Sequence, residues 1–522
     1  MIYRYTPLQI EKLETLERLS KSESDSLISK ENTVTNLDFK SLESQVTGRI
    51  VYPSSPTYND AKRDFNSTYS ANPLLIVYVA NYGDIRCCLE FARKFNILTT
   101  IRSGGHSVAC YSVSDGMVID ISGLKSIFVN PEELTAEVQA GNTFGDINPV
   151  LAFYGLHVPG GECPTVSVAG YMQGGGYGVT SRTFGMNIDC VLEVTVMLAD
   201  GSVVIANKDQ NQDLFWAIRG GTGGNFGVLL NIKYKLFPLT GIWGLRIEWD
   251  FEDDNTNAAT AMHTVQEIYL KEFKHPELGI QLVLLNDNLG DGRKKLYFAA
   301  SFIGTEAELD TTIAPLLAIS GSKITLKEYA SYEKINADVL EGVPSITFSD
   351  AMTLGGISRS TYFEKSLSIE DYSEILTFFK TTPGKYNLVG MECYGGVINQ
   401  QPIESAAFIH RNVTMDFFCD VFFLAGTPEQ TENENWLESF YSFLRKFDNG
   451  HSYQNYPNRK QTDFQWAYWG EYYDQLCSIK LKYNPLNFFE YQQSIGQPLT
   501  IHREVPQIRL FDSNTPIIRE KY

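Results

Sequence analysis

The sequence contains no run of eighteen apolar residues, so no transmembrane helix is expected. It also lacks a basic excess: 43 Lys and Arg face 62 Asp and Glu, for a formal charge of −19. With no surplus of cations to neutralise phosphates, this balance argues against nucleic acid as a partner and against docking on anionic membranes. Only seven histidines occur, none in paired ligand spacing, so His157 and His410 are not read as metal ligands and no metal site is expected. The eight cysteines form no Cys-X-X-Cys pair and no disulfide framework. The N-terminal stretch MIYRYTPLQIEKLETLERL lacks the apolar segment of a signal peptide, which points to a cytoplasmic protein.

What remains is ample for ordered globular structure. The chain has 522 residues, 43% hydrophobic and 13% aromatic, too many for one typical domain. Residues 1–45 read as a polar, partly helical extension. From 46 to 240, short apolar strands alternate with helices and glycine turns. LLIVYVA (74–80) has the apolar run of a buried strand, DIRCCLEFARKF (84–95) the spacing of an amphipathic helix, and ILTTIR (97–102) that of the next strand. Over 241–448, strands such as LRIEWDF, IQLVLLN and MDFFCDVFF are separated by helices. That texture predicts an antiparallel sheet with helices on one face, and hence an α+β protein. Residues 449–500 hold one predicted long helix (465–483) and a loop that returns to the first domain. Residues 501–522 form a tail.

Three glycine clusters fall between 103 and 227: SGGHS (103–107), GGEC with GYMQGGGYG (160–178) and GGTGGNFG (220–227). Glycine serves where backbone N–H groups approach a ligand without an intervening Cβ, and successive N–H groups form concavities suited to a pyrophosphate. GGTGGNFG lacks the Lys-Ser/Thr of a P-loop and the strand-turn-helix order of the G-x-G-x-x-G fingerprint. The pattern therefore says dinucleotide without a Rossmann fold.

The motifs RSGGHS (102–107), PGGECPTVSVAGYMQGGGYG (159–178), GGTGGNFGV (220–228), YQNYP (453–457) and KYNPLNFFEYQQSI (482–495) resemble the berberine bridge enzyme-like family of FAD-linked oxidases. They occur in the family's order over almost the whole chain. The stretch MECYGGVINQQPIESAAFIHR (391–411) resembles the family's substrate-domain motif. The resemblance implies a PCMH-type FAD-binding domain plus a substrate domain with an antiparallel sheet covered by helices. It also implies FAD bound covalently twice, through His106 to the 8α-methyl carbon and through Cys163 to ring carbon C6. Flavin contacts are implied for Arg102, Ser103, Gly104, Gly105 and Ser107; for Gly161, Thr165 and Val166; for Gly170, Gly174, Gly175 and Gly178; for Gly227 and Val228; and for Asn455, Asn484 and Asn487. Ala169 and Tyr171 stand where many relatives have Gly and His.

For the proton-abstracting base, the resemblance points to Tyr453 or Tyr456, with Asp420 and Asp416 as rivals on one face of the MDFFCDVFF strand. A phenol with an ordinary pKa near 10 needs a cation, a hydrogen-bond donor or the flavin nearby to act as a base at neutral pH. Val166, three residues after Cys163, holds the place of the family's oxygen gate, where bulkier leucine goes with poor reactivity. The implied reaction is hydride removal from an alcohol or sugar hemiacetal carbon to flavin N5, with molecular oxygen reduced to hydrogen peroxide. Oxidative cyclisation or amine or phenol oxidation of a secondary metabolite remains open within the enzyme class. A non-catalytic flavin-carrying module is the reading from another class. A small-molecule substrate and a monomeric or homodimeric state are expected.

Overall fold

The computed structural model describes residues 33–271, 274–288, 290–341, 354–496 and 507–509, and its architecture is α+β. Expectations for 1–32 and for most of the tail lie outside the described residues. Two large hydrophobic cores organise the chain.

The first core is built on two sheets. In one, Leu75–Tyr78, Met117–Asp120 and Thr99–Arg102 run parallel, with Arg49–Val51 antiparallel at one edge. The apolar alternation of the helix Tyr82–Lys94 explains its seat: Ile85, Cys88, Leu89, Phe91 and Ala92 are buried in this core, and Asn81 caps its first turn. The other sheet has five antiparallel strands, ordered Val203–Asn207, Val191–Met197, Val228–Lys235, Thr135–Gln139 and Ile127–Asn130. Part of the supposed extension is integral to this core. The helix Asn36–Gln45, closed by a Thr35–Asp38 capping box, buries Phe39 and Leu42 in it.

The second core lies under a seven-stranded antiparallel sheet, ordered Lys323–Ala330, Ile242–Asp250, Lys294–Phe302, Leu278–Asn286, Leu388–Cys393, Met415–Phe423 and Gly355–Phe363. Side chains alternate between the two faces of a strand. Val389, Met391, Met415, Phe417, Cys419 and Val421 point to the core, where the helices Thr256–Val265, Glu306–Leu317, Ile369–Phe379 and Pro428–Leu444 cover them. The opposite parity carries Glu392, Asp416 and Asp420 on the face turned away from those helices.

The C-terminal segment packs into the first core through Tyr468, Trp469, Leu476, Ile479, Phe488 and Phe489. One long helix over 465–483 is not formed. Gly470 adopts φ +49°, which divides the segment into Phe464–Trp469, a short 3-10 turn and Tyr473–Tyr483. Among the described residues no helix is long and apolar enough to cross a membrane.

Candidate functional site

A cavity of about 490 Å³ lies where the three glycine clusters, the YQNYP segment and residues 489–493 meet the polar face of the seven-stranded sheet. Its floor is backbone. Arg102 ends a parallel strand, and the chain turns at Gly105 (φ +66°) to present His106. A Cβ at Gly104 would lie 2.9 Å from both Ser167 Cβ and Ser167 N, so glycine alone allows this turn to rest on the segment after Cys163. Ser103 Oγ donates to the carbonyl of Ala140 (2.7 Å) and lies 2.5 Å from Ser167 Oγ, fastening the two loops together.

The consequence is a close meeting of His106 and Cys163. Thr165 Oγ1 lies 2.8 Å from His106 Nε2 and 3.2 Å from Cys163 Sγ. The His106 ring stacks on Phe65 at 4.7 Å, and burial lowers its pKa to about 4. At neutral pH the imidazole therefore keeps a lone pair available for bonding to carbon. The Cys163 segment is clamped from the second half of the molecule. Asn336 Nδ2 donates to the carbonyls of Glu162 (2.7 Å) and Gly161 (3.3 Å), and Tyr332 Oη donates to that of Gly160 (3.1 Å).

Of the residues expected to touch a flavin, Ser103, Gly104, Gly105, His106, Ser107, Gly161, Cys163, Val166, Gly170, Gly227 and Asn455 line the cavity, and Thr165 bridges the pair just described. The others lie off it, for identifiable reasons. Arg102 is tied inward by Asp120 (2.6 Å) and the carbonyl of Ala61 (2.7 Å). Gly174, Gly175 and Gly178 permit close packing instead of ligand approach: a Cβ would meet Asn455 Oδ1, Phe408 and the carbonyl of Gly160, respectively. Val228 is buried in the five-stranded sheet. Asn484 holds Phe488 N (2.7 Å) and the carbonyls of Asn225 and Phe489, and Asn487 donates to Glu490 (2.8 Å). Both thus shape the loop that brings Phe489, Glu490 and Tyr491 to the cavity wall.

The roof is made of side chains. Tyr453 and Tyr456 line the cavity in contrasting surroundings. Tyr453 Oη accepts from Gly176 N (2.8 Å), Tyr177 N (3.3 Å) and Asn455 Nδ2 (3.1 Å). Burial raises its pKa and these three donors oppose the rise. Tyr456 Oη donates to Glu392 Oε1 at 2.7 Å, and burial together with that carboxylate raises its pKa further. Asp420 also lines the cavity; it accepts from Ser358 Oγ (2.5 Å), and burial lifts its pKa to about 6. Asp416 does not reach the cavity. It is fully buried, no side chain hydrogen-bonds either of its oxygens among the described residues, and burial raises its pKa while the Phe417 backbone N–H opposes the rise.

Glu392 is the site residue that sequence reasoning missed. The signal was present in the alternation of LVGMEC, which puts Glu392 on the same sheet face as Asp416 and Asp420. Tyr171 and Tyr177 also line the cavity and were not singled out as site residues.

The residues present fit a dinucleotide cofactor. The N–H groups of Gly104, Gly105 and His106 find no acceptor among the described residues, and a Cβ at Gly170 would meet only open space. Comparison with known proteins agrees. The family model described as "FAD binding domain" matches residues 73–207, and that described as "Berberine and berberine like" matches 452–496. The chain is 28% identical over 465 residues to the uncharacterized FAD-linked oxidoreductase YgaK of Bacillus subtilis, covering 87% of this chain and 98% of that protein. It is 28% identical to berberine bridge enzyme-like 2 of Arabidopsis thaliana, over 83% of this chain and 85% of that one. Among solved structures, BBE-like 1 of Physcomitrella patens superposes with a TM-score of 0.79 at 23% identity, covering 88% of this chain and 98% of that one.

Proposed function

We propose that this chain, a member of the berberine bridge enzyme-like family of FAD-linked oxidoreductases, oxidises a carbon bearing a hydroxyl group, in an alcohol or a sugar hemiacetal, on a flavin tethered through both His106 and Cys163. The observation that carries this reading is one cavity with two kinds of chemistry at its ends. On the floor, a neutral imidazole and a thiol share the Thr165 hydroxyl. On the roof, a phenol hydrogen-bonded to a carboxylate faces the same space.

FAD, when bound, would supply a two-electron acceptor that molecular oxygen can regenerate, giving hydrogen peroxide. The protein's own residues do the remaining work. His106 and Cys163 would hold the flavin ring against rotation, and the N–H groups of residues 104–106 would offer donors to the phosphates. Tyr456 accepts the hydroxyl proton of the substrate while passing its own to Glu392 across their 2.7 Å hydrogen bond. Tyr453, whose oxygen is filled by three donors, orients the substrate hydroxyl through its remaining proton. The charged side chains lining the cavity are Glu162, Glu392, Asp420 and Glu490, with no Lys or Arg among the described residues there. Anionic substrates are therefore disfavoured and neutral polyols tolerated. The same four carboxyls favour one second reading, an amine-bearing donor.

The test is anaerobic mixing with D-glucose, benzyl alcohol and benzylamine, following loss of the flavin absorbance. One of the two hydroxyl donors should bleach it. Tyr456→Phe should then slow bleaching by roughly 10²–10⁴, the usual contribution of a positioned base. Bleaching by the amine alone would move the substrate to the second reading, and an unchanged rate in Tyr456→Phe would remove that residue from its role.

A further inference from the structure

Gln281, Glu392, Asp416 and Tyr362 stand opposite one another on four neighbouring strands, one cross-strand row along the cavity face of the sheet. In the middle of this row two carboxyl groups face each other, both buried: Glu392 is 4% exposed and Asp416 not at all. Glu392 Oε1 is taken by Tyr456, but Glu392 Oε2 and both oxygens of Asp416 have no side-chain partner among the described residues, and only the Phe417 backbone N–H lies against Asp416. Directly opposed residues on paired strands carry their Cβ atoms about 4.5–5.5 Å apart, within mutual reach of an aspartate and a glutamate.

The groups that face this pair are the phenols of Tyr171, Tyr177, Tyr362, Tyr394, Tyr453 and Tyr456 and the carboxyls of Asp420 and Glu162. The buried Arg182 guanidinium acts on Tyr177 but donates to the carbonyls of Tyr394, Tyr269 and Lys274, so it pairs with neither carboxyl. Two ionised carboxylates buried side by side without a paired cation are too costly to persist, and three oxygens without a side-chain donor add to that cost. One proton between the two carboxyls reduces both penalties. It cancels one of the two charges and bridges Glu392 Oε2 to one oxygen of Asp416.

We propose that Glu392 and Asp416 share a single proton, so that Asp416 holds Glu392 ionised as the acceptor for the proton leaving Tyr456. The proposal rests on the assignment of Tyr456 given above. In the step, the substrate O–H bond breaks and its proton passes to Tyr456 Oη. The Tyr456 O–H proton passes to Glu392 Oε1, and the two electrons of the substrate C–H bond leave with the hydride, for which the flavin assigned above would be the acceptor. The pair then carries two protons and no charge, and one returns to solvent before the next turnover. Asp416 touches neither cofactor nor substrate. It is a positioning residue that donates to Glu392 Oε2 and keeps the negative charge on the oxygen facing Tyr456.

Infrared spectroscopy of the substrate-free holoenzyme at pH 7, recorded in H2O and in 2H2O, tests this without turnover. One protonated-carboxyl band, sensitive to the solvent isotope, is expected. Asp416→Asn and Glu392→Gln should each abolish it, because the new amide supplies the hydrogen bond the shared proton had supplied. Asp420→Asn should leave it, and Tyr456→Phe should shift it without removing it. Persistence of the band in both amide variants, or its loss only in Asp420→Asn, would overturn the shared proton. A band that behaves as stated, in an enzyme whose Tyr456→Phe variant bleaches at the wild-type rate, would keep the pair and reject only the role of Tyr456.

Discussion

The floor and the roof of the cavity are built in opposite ways. The floor is loop backbone in which glycines let SGGH and GGEC come within one hydroxyl of each other. The roof is regular antiparallel sheet, where position along a strand decides which side chains face the cavity and which the core. Backbone concavities and two nucleophilic side chains suit a large, permanently held group that recurs unchanged. Alternating strand positions can change one at a time without disturbing the helix-covered face, which suits substrate choice and proton handling. Holding the cofactor and choosing the reaction are thereby separated in space.

Variants that act on one end alone should break this comparison if it is wrong. The largest effect is expected on the floor. His106→Ala combined with Cys163→Ala should release all flavin on denaturation in sodium dodecyl sulfate, while either single replacement retains it on the gel. The next effect concerns the strut between the halves. Asn336→Ala removes the amide that holds the carbonyls of Gly161 and Glu162, and should lower stability by roughly 1–3 kcal/mol in denaturant unfolding.

A smaller effect is a pH dependence. His106 titrates near 4 when folded and near 6.5 when unfolded, so the unfolded chain takes up the proton first. Flavin-free protein from riboflavin-depleted cells should keep its full stability above about pH 6.5 and lose this contribution progressively as pH falls toward 4. His106→Gln should flatten that part of the profile. The smallest effect belongs to Val166, which lines the cavity three residues from Cys163. Leucine reaches one carbon further than valine, so Val166→Leu should slow reoxidation by oxygen by about tenfold or less, on the order of 1.4 kcal/mol. Reduction by substrate should not slow.

The two ends also differ in how far the sequence revealed them. The floor could be read because its chemistry requires glycine, histidine and cysteine at short fixed spacings, and the resemblance named the same residues. Glycines within one motif nevertheless serve different ends. Gly170 opens toward the cavity, whereas Gly104, Gly174 and Gly178 make room for Ser167, for Asn455 and for the carbonyl of Gly160. Local sequence cannot separate these cases, because the partners lie tens to hundreds of residues away along the chain. On the roof, the strand MDFFCDVFF and its two aspartates were legible from alternation. Glu392 was not singled out, because its significance comes from strand order, which sets it between Gln281 and Asp416. The helix expected over 465–483 failed at Gly470, where a positive φ overrides the helical pattern around it.

The central claim is a flavin held at two points on the floor beneath an acidic roof, and peptide mapping of the unmodified protein by mass spectrometry tests it most directly. The account predicts one flavin-bearing species in which the peptide containing His106 and the peptide containing Cys163 are joined through a single FAD. Recovery of both peptides unmodified, with all the flavin released as free FAD, would contradict it.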